Sequence, residues 1–203
     1  HTNLSVLYRN LSRHHTALEH LAQSNAIIRE HLQSNPLFLL DNLKAQAGIE
    51  DVLGEPEKVV KTLQRELKLQ ERLPQNPRRY YEINRSYLGI AYAYHKMKLF
   101  HLALPLIDKV IEDKNDLKKT NKISAHRLRA IGTYRLDGLA QGVVWAKRAL
   151  VLLHEHYGSS TSTLQRCMPA WQLGTLKMII HWIPSSNTSI RPCAPYCPYP
   201  ILN

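Results

Sequence analysis

The stretch Tyr80–Glu112, YYEINRSYLGIAYAYHKMKLFHLALPLIDKVIE, decides the fold. From Tyr80 to Lys98 the apolar residues are Ile83, Tyr87, Ile90, Ala91 and Tyr94, a spacing of helix and not of strand. After a short turn, Leu102, Ala103, Leu106, Val110 and Ile111 form a second stripe of the same kind. The turn chemistry is explicit earlier in the chain. Leu53-Gly54-Glu55-Pro56-Glu57 ends one helix with Gly and opens the next with Pro and acids. Such a helix pair has an apolar side too large to bury alone, and stacking on a neighbouring pair buries it.

A period runs through the sequence. Tyr8, Tyr92 and Tyr134 are separated by twice 42 and by 42 residues, and the skipped position is Glu50. Helix-start signals keep a similar spacing at Asn35-Pro36, Asn76-Pro77, Asn115-Asp116 and Ser159-Ser160-Thr161. Asn and Asp cap the orphan amides of a first turn, and Pro is pre-shaped for the first helical position. The alternative is an irregular helical bundle in which Pro36 and Pro77 are loop prolines.

Composition agrees with helix: 8 Gly and 2 Phe in 203 residues are few for a β-rich fold. Net charge is +11, and from Lys114 to Arg148 nine Lys/Arg face two acids, Asp116 and Asp137. No acid follows Glu155. That field favours an acidic peptide, a nucleic acid or an anionic surface, against the plainer reading of a solvated basic face. The three cysteines, Cys167, Cys193 and Cys197, leave the first 166 residues without a disulfide framework, which suits the cytoplasm while leaving the periplasm open. The apolar runs Ala149–Leu153 and Met178–Ile180 are too short to span a bilayer, so no membrane insertion is expected. The chain starts at His1 and reads as a piece of a larger protein.

Leu88-Gly89-x-x-Tyr92, followed by Ala103 and Val110-Ile111, resembles the tetratricopeptide (TPR) repeat pattern. Leu4-Ser5-x-x-Tyr8 with Ala17 and Leu21 is similar, and Ala47 and Gly54 with Val59 and Leu63 give a weaker copy. Ala146 and Ala149-Leu150 supply the second helix of a fourth. The resemblance covers about residues 1–156, lacks the early Trp, and has a period near 42 instead of 34, as in the long arrays of bacterial signalling and regulatory proteins. The Leu-Gly-x-x-Tyr signature argues against armadillo or HEAT repeats. It implies an all-α, right-handed superhelical solenoid of antiparallel helix pairs over residues 1–182. That span holds four pairs and the first helix of a fifth at Ser160–Ile180, which Pro169 would kink. Residues 183–203, with five prolines, are expected to be a disordered tail.

The resemblance further implies a concave groove lined by the first helix of each pair. Carried over by register, its positions are Arg9 and Asn10, Lys44 and Asp51, Ser86 and Tyr94, and Arg127 and Arg135. The family's carboxylate clamp would need Lys and Asn where this chain has Thr2 and Val6. Eleven histidines invite a metal reading, yet adjacent His14 and His15, and His154 and His156 two apart, do not share a helix face. His95 and His101 flank the third turn, and Cys193-x-x-x-Cys197 has no histidine pair after it. Neither a phosphate loop nor a catalytic elbow is present, so no enzyme, metal or cofactor is expected. The expected role is a peptide- or protein-binding sensor segment of a bacterial regulator. Nucleic-acid binding through residues 114–148 and self-association through an uncapped solenoid end are the alternatives.

Overall fold

The computed structural model describes residues 1–31, 36–74, 76–116 and 119–157. Among these, eight helices and no strand occur: α1 (Thr2–Asn10), α2 (His14–His31), α3 (Pro36–Val52), α4 (Pro56–Gln70), α5 (Pro77–Lys96), α6 (Phe100–Glu112), α7 (Lys119–Asp137) and α8 (Leu139–Tyr157). The described residues are all-α. The segments expected to hold a fifth first helix and a proline-rich tail lie outside the described residues. The chain forms two compact units, with the boundary between Asn121 and Lys122, inside α7.

The helix boundaries follow local chemistry. Pro56 and Pro77 open α4 and α5, where a missing N–H costs nothing because the first-turn amides have no intrahelical partner. Asn76 Oδ1 accepts from Arg79 N at 2.9 Å, so the Asn76-Pro77 signal is a true cap. At the Asn115-Asp116 signal, residues 117–118 lie outside the described residues, and buried Asp116 accepts from Asn84 Nδ2 at 3.1 Å and Asn121 Nδ2 at 2.6 Å. A buried carboxylate held by two amide donors ties α5 to the start of α7.

The strongest regularity lies at the helix ends. Ser12, Gly54 and Lys98 have φ of 58, 73 and 60°, the left-handed conformation that terminates a helix. In each case two backbone bonds close the end in the same pattern. Arg13 N donates to Tyr8 O at 2.8 Å and Ser12 N to Arg9 O at 3.0 Å. Glu55 N donates to Glu50 O at 3.0 Å and Gly54 N to Asp51 O at 3.2 Å. Leu99 N donates to Tyr94 O at 2.9 Å and Lys98 N to His95 O at 3.0 Å. These are three Schellman caps, and each turns the chain back within three residues. Tyr8, Glu50 and Tyr94 therefore share one register, and Tyr134 stands the same four residues before Gly138, whose φ is 88°. The sequence spacing had put Tyr92 in that register. The true interval from Gly54 to Lys98 is 44 residues, so the tyrosine at the third position of the series is Tyr94.

In the first unit each helix packs on the next in the chain, from α1 through α6. Ala17, Leu21 and Ile49 form one core, joined by Tyr8, Leu18 and Leu53. Val59, Val60, Leu63, Ile90 and Ala93 form another with Ala47. Where α3 meets α2, Asn42 Nδ2 donates to Ser24 Oγ at 2.9 Å. Where α5 meets α4, Ser86 Oγ donates to Glu66 Oε2 at 2.7 Å. Counted from the caps, Asn42 and Ser86 are equivalent, as are Ser24 and Glu66; all four are buried. In the second unit, Ala130 and Ala146 bring α7 and α8 together with Val143 and Trp145.

Candidate binding surfaces

Two features of the first unit concentrate polar chemistry. One is a partly buried ionic cluster around Glu66. Lys44 Nζ on α3 lies 2.9 Å from Glu82 Oε2 on α5 and 3.8 Å from Glu66 Oε1 on α4. Glu66 is 0% exposed and sits in the apolar stripe of α4 between Leu63 and Gln70. Burial pushes its carboxyl above the usual range, while the hydrogen bond from Ser86, the charge of Lys44 and Gln70 oppose that shift. Its Oε1 has no hydrogen-bond donor among the described residues. Nearby, Glu50 is fully used: Oε1 accepts from Gln46 at 2.7 Å and Oε2 from Thr62 at 2.8 Å.

The second feature is an open cleft where α2, α3 and α4 meet, with a cavity of about 200 Å³. Leu39, Leu43 and Leu69 give it an apolar floor, and Arg65, Lys68 and Arg72 line it from one side of α4. No acid lines it.

The expected groove residues divide between structural and open roles. Arg9 and Asn10 end α1, where the Arg9 carbonyl is occupied by the cap of Ser12. Lys44 and Ser86 come together on Glu66, with Ser86 buried. Asp51 Oδ1 pairs with Lys96 Nζ at 2.7 Å, and Tyr94 packs against the core around Ile90. In the second unit Arg127 is partly buried, which lowers its guanidinium below the usual value, and no carboxylate pairs with it among the described residues. Arg135 is exposed and lies 5.7 Å over the Tyr134 ring. Sequence reasoning missed Glu66, Glu82 and the α4 cations.

Also in the second unit, the Trp145 ring is held by its own neighbours. His126 stacks on it at 5.6 Å, and the Arg129 and Arg148 guanidinium carbons lie 5.1 and 4.6 Å from it. Burial first, then the charges of Arg148 and Lys122, hold His126 below its ordinary value and favour the neutral ring. Among the described residues no three His, Cys, Asp or Glu side chains converge as a metal site would need. No described helix is long and apolar enough to cross a membrane.

No family model, curated protein or solved structure matches the chain.

Proposed function

We propose that the chain is a TPR-like solenoid, a right-handed superhelix of antiparallel helix pairs, that binds a peptide or protein as the interaction segment of a larger bacterial regulator in the cytoplasm. The observation that carries this reading is the repetition of one cap and one junction. Ser12, Gly54 and Lys98 close the first helix of successive pairs, α1, α3 and α5, alike, and Asn42–Ser24 and Ser86–Glu66 join successive pairs alike. A unit repeated with the same turn and the same lateral bond accumulates a constant small rotation, which generates an extended surface for a chain-like ligand. The buried carboxylates tie neighbouring helices together: Glu50 is held by Gln46 and Thr62, and Glu66 by Ser86.

The test is selection of a displayed library of twelve-residue peptides against the chain, followed by calorimetry of the synthetic consensus. The expected result is a shared pattern and one-to-one binding that a scrambled peptide lacks. If no pattern emerges while a twenty-nucleotide single strand binds with steep salt dependence, the function is nucleic-acid binding instead. Dimerisation without ligand would favour self-association.

A further inference from the structure

Helix α4 is two-faced. Val59, Val60, Thr62, Leu63, Glu66 and Gln70 are buried, whereas Lys61, Arg65, Lys68 and Arg72 are exposed. The four cations stand at intervals of four, three and four, so they form one stripe along the helix and its first following turn. None of them makes an ion pair among the described residues. Like charges at these spacings repel by a few tenths of a kcal/mol per pair, so the stripe weakens α4 slightly and gains nothing within the fold. Three of its members rim the cleft floored by Leu39, Leu43 and Leu69.

We infer that this cleft is a docking site for an acidic peptide segment of a partner protein, anchored by one large apolar side chain in the cavity with carboxylates along the α4 stripe. The inference rests on the binding-scaffold reading and names the partner's chemistry. Size favours a peptide. The cavity of about 200 Å³ is smaller than a pocket for a whole small molecule, commonly about 300–1,000 Å³, yet it accommodates an aliphatic or aromatic side chain. The stripe from Lys61 to Arg72 is roughly 16 Å long at the helical rise, beyond the reach of one small anion. Chemistry favours protein over nucleic acid, since the recess is floored by leucines and no aromatic side chain lines it for a base to stack on. A lipid surface fits poorly, because Leu43 is only 7% exposed and Leu39 and Leu69 are half-buried, leaving little apolar area to insert. The sequence after Glu155 carries no acid and so lacks the carboxylates this occupant needs. The cations of the site come from α4, a second helix of a pair, and neither Lys44 nor Ser86 lines the cleft.

The experiment is fluorescence anisotropy of the full chain with a labelled fourteen-residue peptide of Glu and Ser around one central Leu. Control probes carry Lys for Glu, Ala for the Leu, or are a twenty-nucleotide single strand. The Glu peptide is expected to bind and the Lys peptide not. Combining Arg65→Glu, Lys68→Glu and Arg72→Glu, all exposed positions, should weaken the Glu peptide by about 10-fold or more with an unchanged helical spectrum. Leu69→Ala should weaken the Leu peptide by about 3-fold or more and leave the Ala peptide unaffected, which a general loss of structure would not do. Equal affinity of the parent and the charge-reversed chain overturns the site, as does failure of the Glu peptide to bind. The scaffold reading survives either result if library-selected peptides still bind. Tighter binding of the oligonucleotide, lost in the same variants, overturns the peptide as occupant.

Discussion

Ser86 Oγ donates to Glu66 Oε2 at 2.7 Å, and this bond occupies the place that Asn42–Ser24 holds one helix pair earlier. In a low-dielectric junction the donor is what makes a buried carboxylate tolerable. Ser86→Ala leaves an uncompensated acceptor and should cost about 1–3 kcal/mol in urea unfolding. Glu66→Gln keeps an acceptor for Ser86 while removing the buried charge, and is expected to cost less than Ser86→Ala. The reverse order would show that Lys44, 3.8 Å away, is the partner that matters.

Buried Glu66 and half-buried His95 give stability a pH dependence of predictable sign. Glu66 has its carboxyl raised above 4.5 by burial, so the folded chain binds this proton more readily than the unfolded chain. Its burial therefore destabilises increasingly as pH rises from 4.5 through the raised value, and Glu66→Gln should remove that component. His95, edge-on to Phe100 at 5.1 Å, is lowered by burial from 6.5 to about 4. Here the unfolded chain takes the proton first, so stability present above pH 6.5 is lost as pH falls towards 4. The loss should be on the order of 2 kcal/mol after allowance for partial solvent screening, and His95→Gln should abolish it. A His95 imidazole resonance that titrates near 6.5 in the folded protein would refute the assignment.

The paired helices were legible because Gly54-Glu55-Pro56 and Asn76-Pro77 announce a stop and a start in chemistry that depends on neither packing nor partner. The turns at Ser12 and Lys98 were not, since nothing in a serine or lysine marks a positive φ. That silence let the tyrosine count choose Tyr92 over Tyr94. Lys44 and Ser86 were named for a groove, but the residue that unites them, Glu66, reads as a surface acid unless it is set in line with Val59, Leu63 and Gln70. The α4 stripe stands at positions 61, 65, 68 and 72, but Glu66 and Glu71 fall among its cations and hide it in a linear sequence, whereas 114–148 stands out by net charge.

The non-glycine caps give a stabilising prediction. Ser12 and Lys98 hold φ of 58 and 60°, where a Cβ crowds the following carbonyl. Lys98→Gly and Ser12→Gly should each stabilise the chain by about 0.5–1 kcal/mol, the relief exceeding the added entropy of the unfolded state. Gly54→Ala, at φ 73°, should destabilise by a similar amount although a Cβ there meets no atom within 4 Å. The midpoint of urea unfolding reports all three, and a destabilised Lys98→Gly would contradict the cap.

Two helical glycines separate conformational from steric demands. Ala is the better helix former by roughly 1 kcal/mol, so Gly→Ala in a helix stabilises wherever space permits. At Gly89 on α5, a Cβ would come within 2.6 Å of Leu63 Cδ1, the movable end of a side chain, and its next neighbour is 4.0 Å away. Rotation of Leu63 relieves that contact, and Gly89→Ala should fall within about 1 kcal/mol of the parent. At Gly142 on α8 the neighbours do not yield. A Cβ would lie 2.8 Å from Tyr134 Cβ, 3.1 Å from Tyr134 Cα and 3.1 Å from the Ala130 carbonyl, all fixed by α7 itself. The two helices would have to part, opening the contact between Ala130 and Ala146, so Gly142→Ala should cost about 1–3 kcal/mol despite its better propensity. Side-by-side urea titrations followed by circular dichroism and Trp fluorescence decide between them. Gly142→Ala as stable as the parent, or Gly89→Ala the more damaging of the two, would mean that α7 and α8 are not held as closely as Ala130, Tyr134 and Gly142 require.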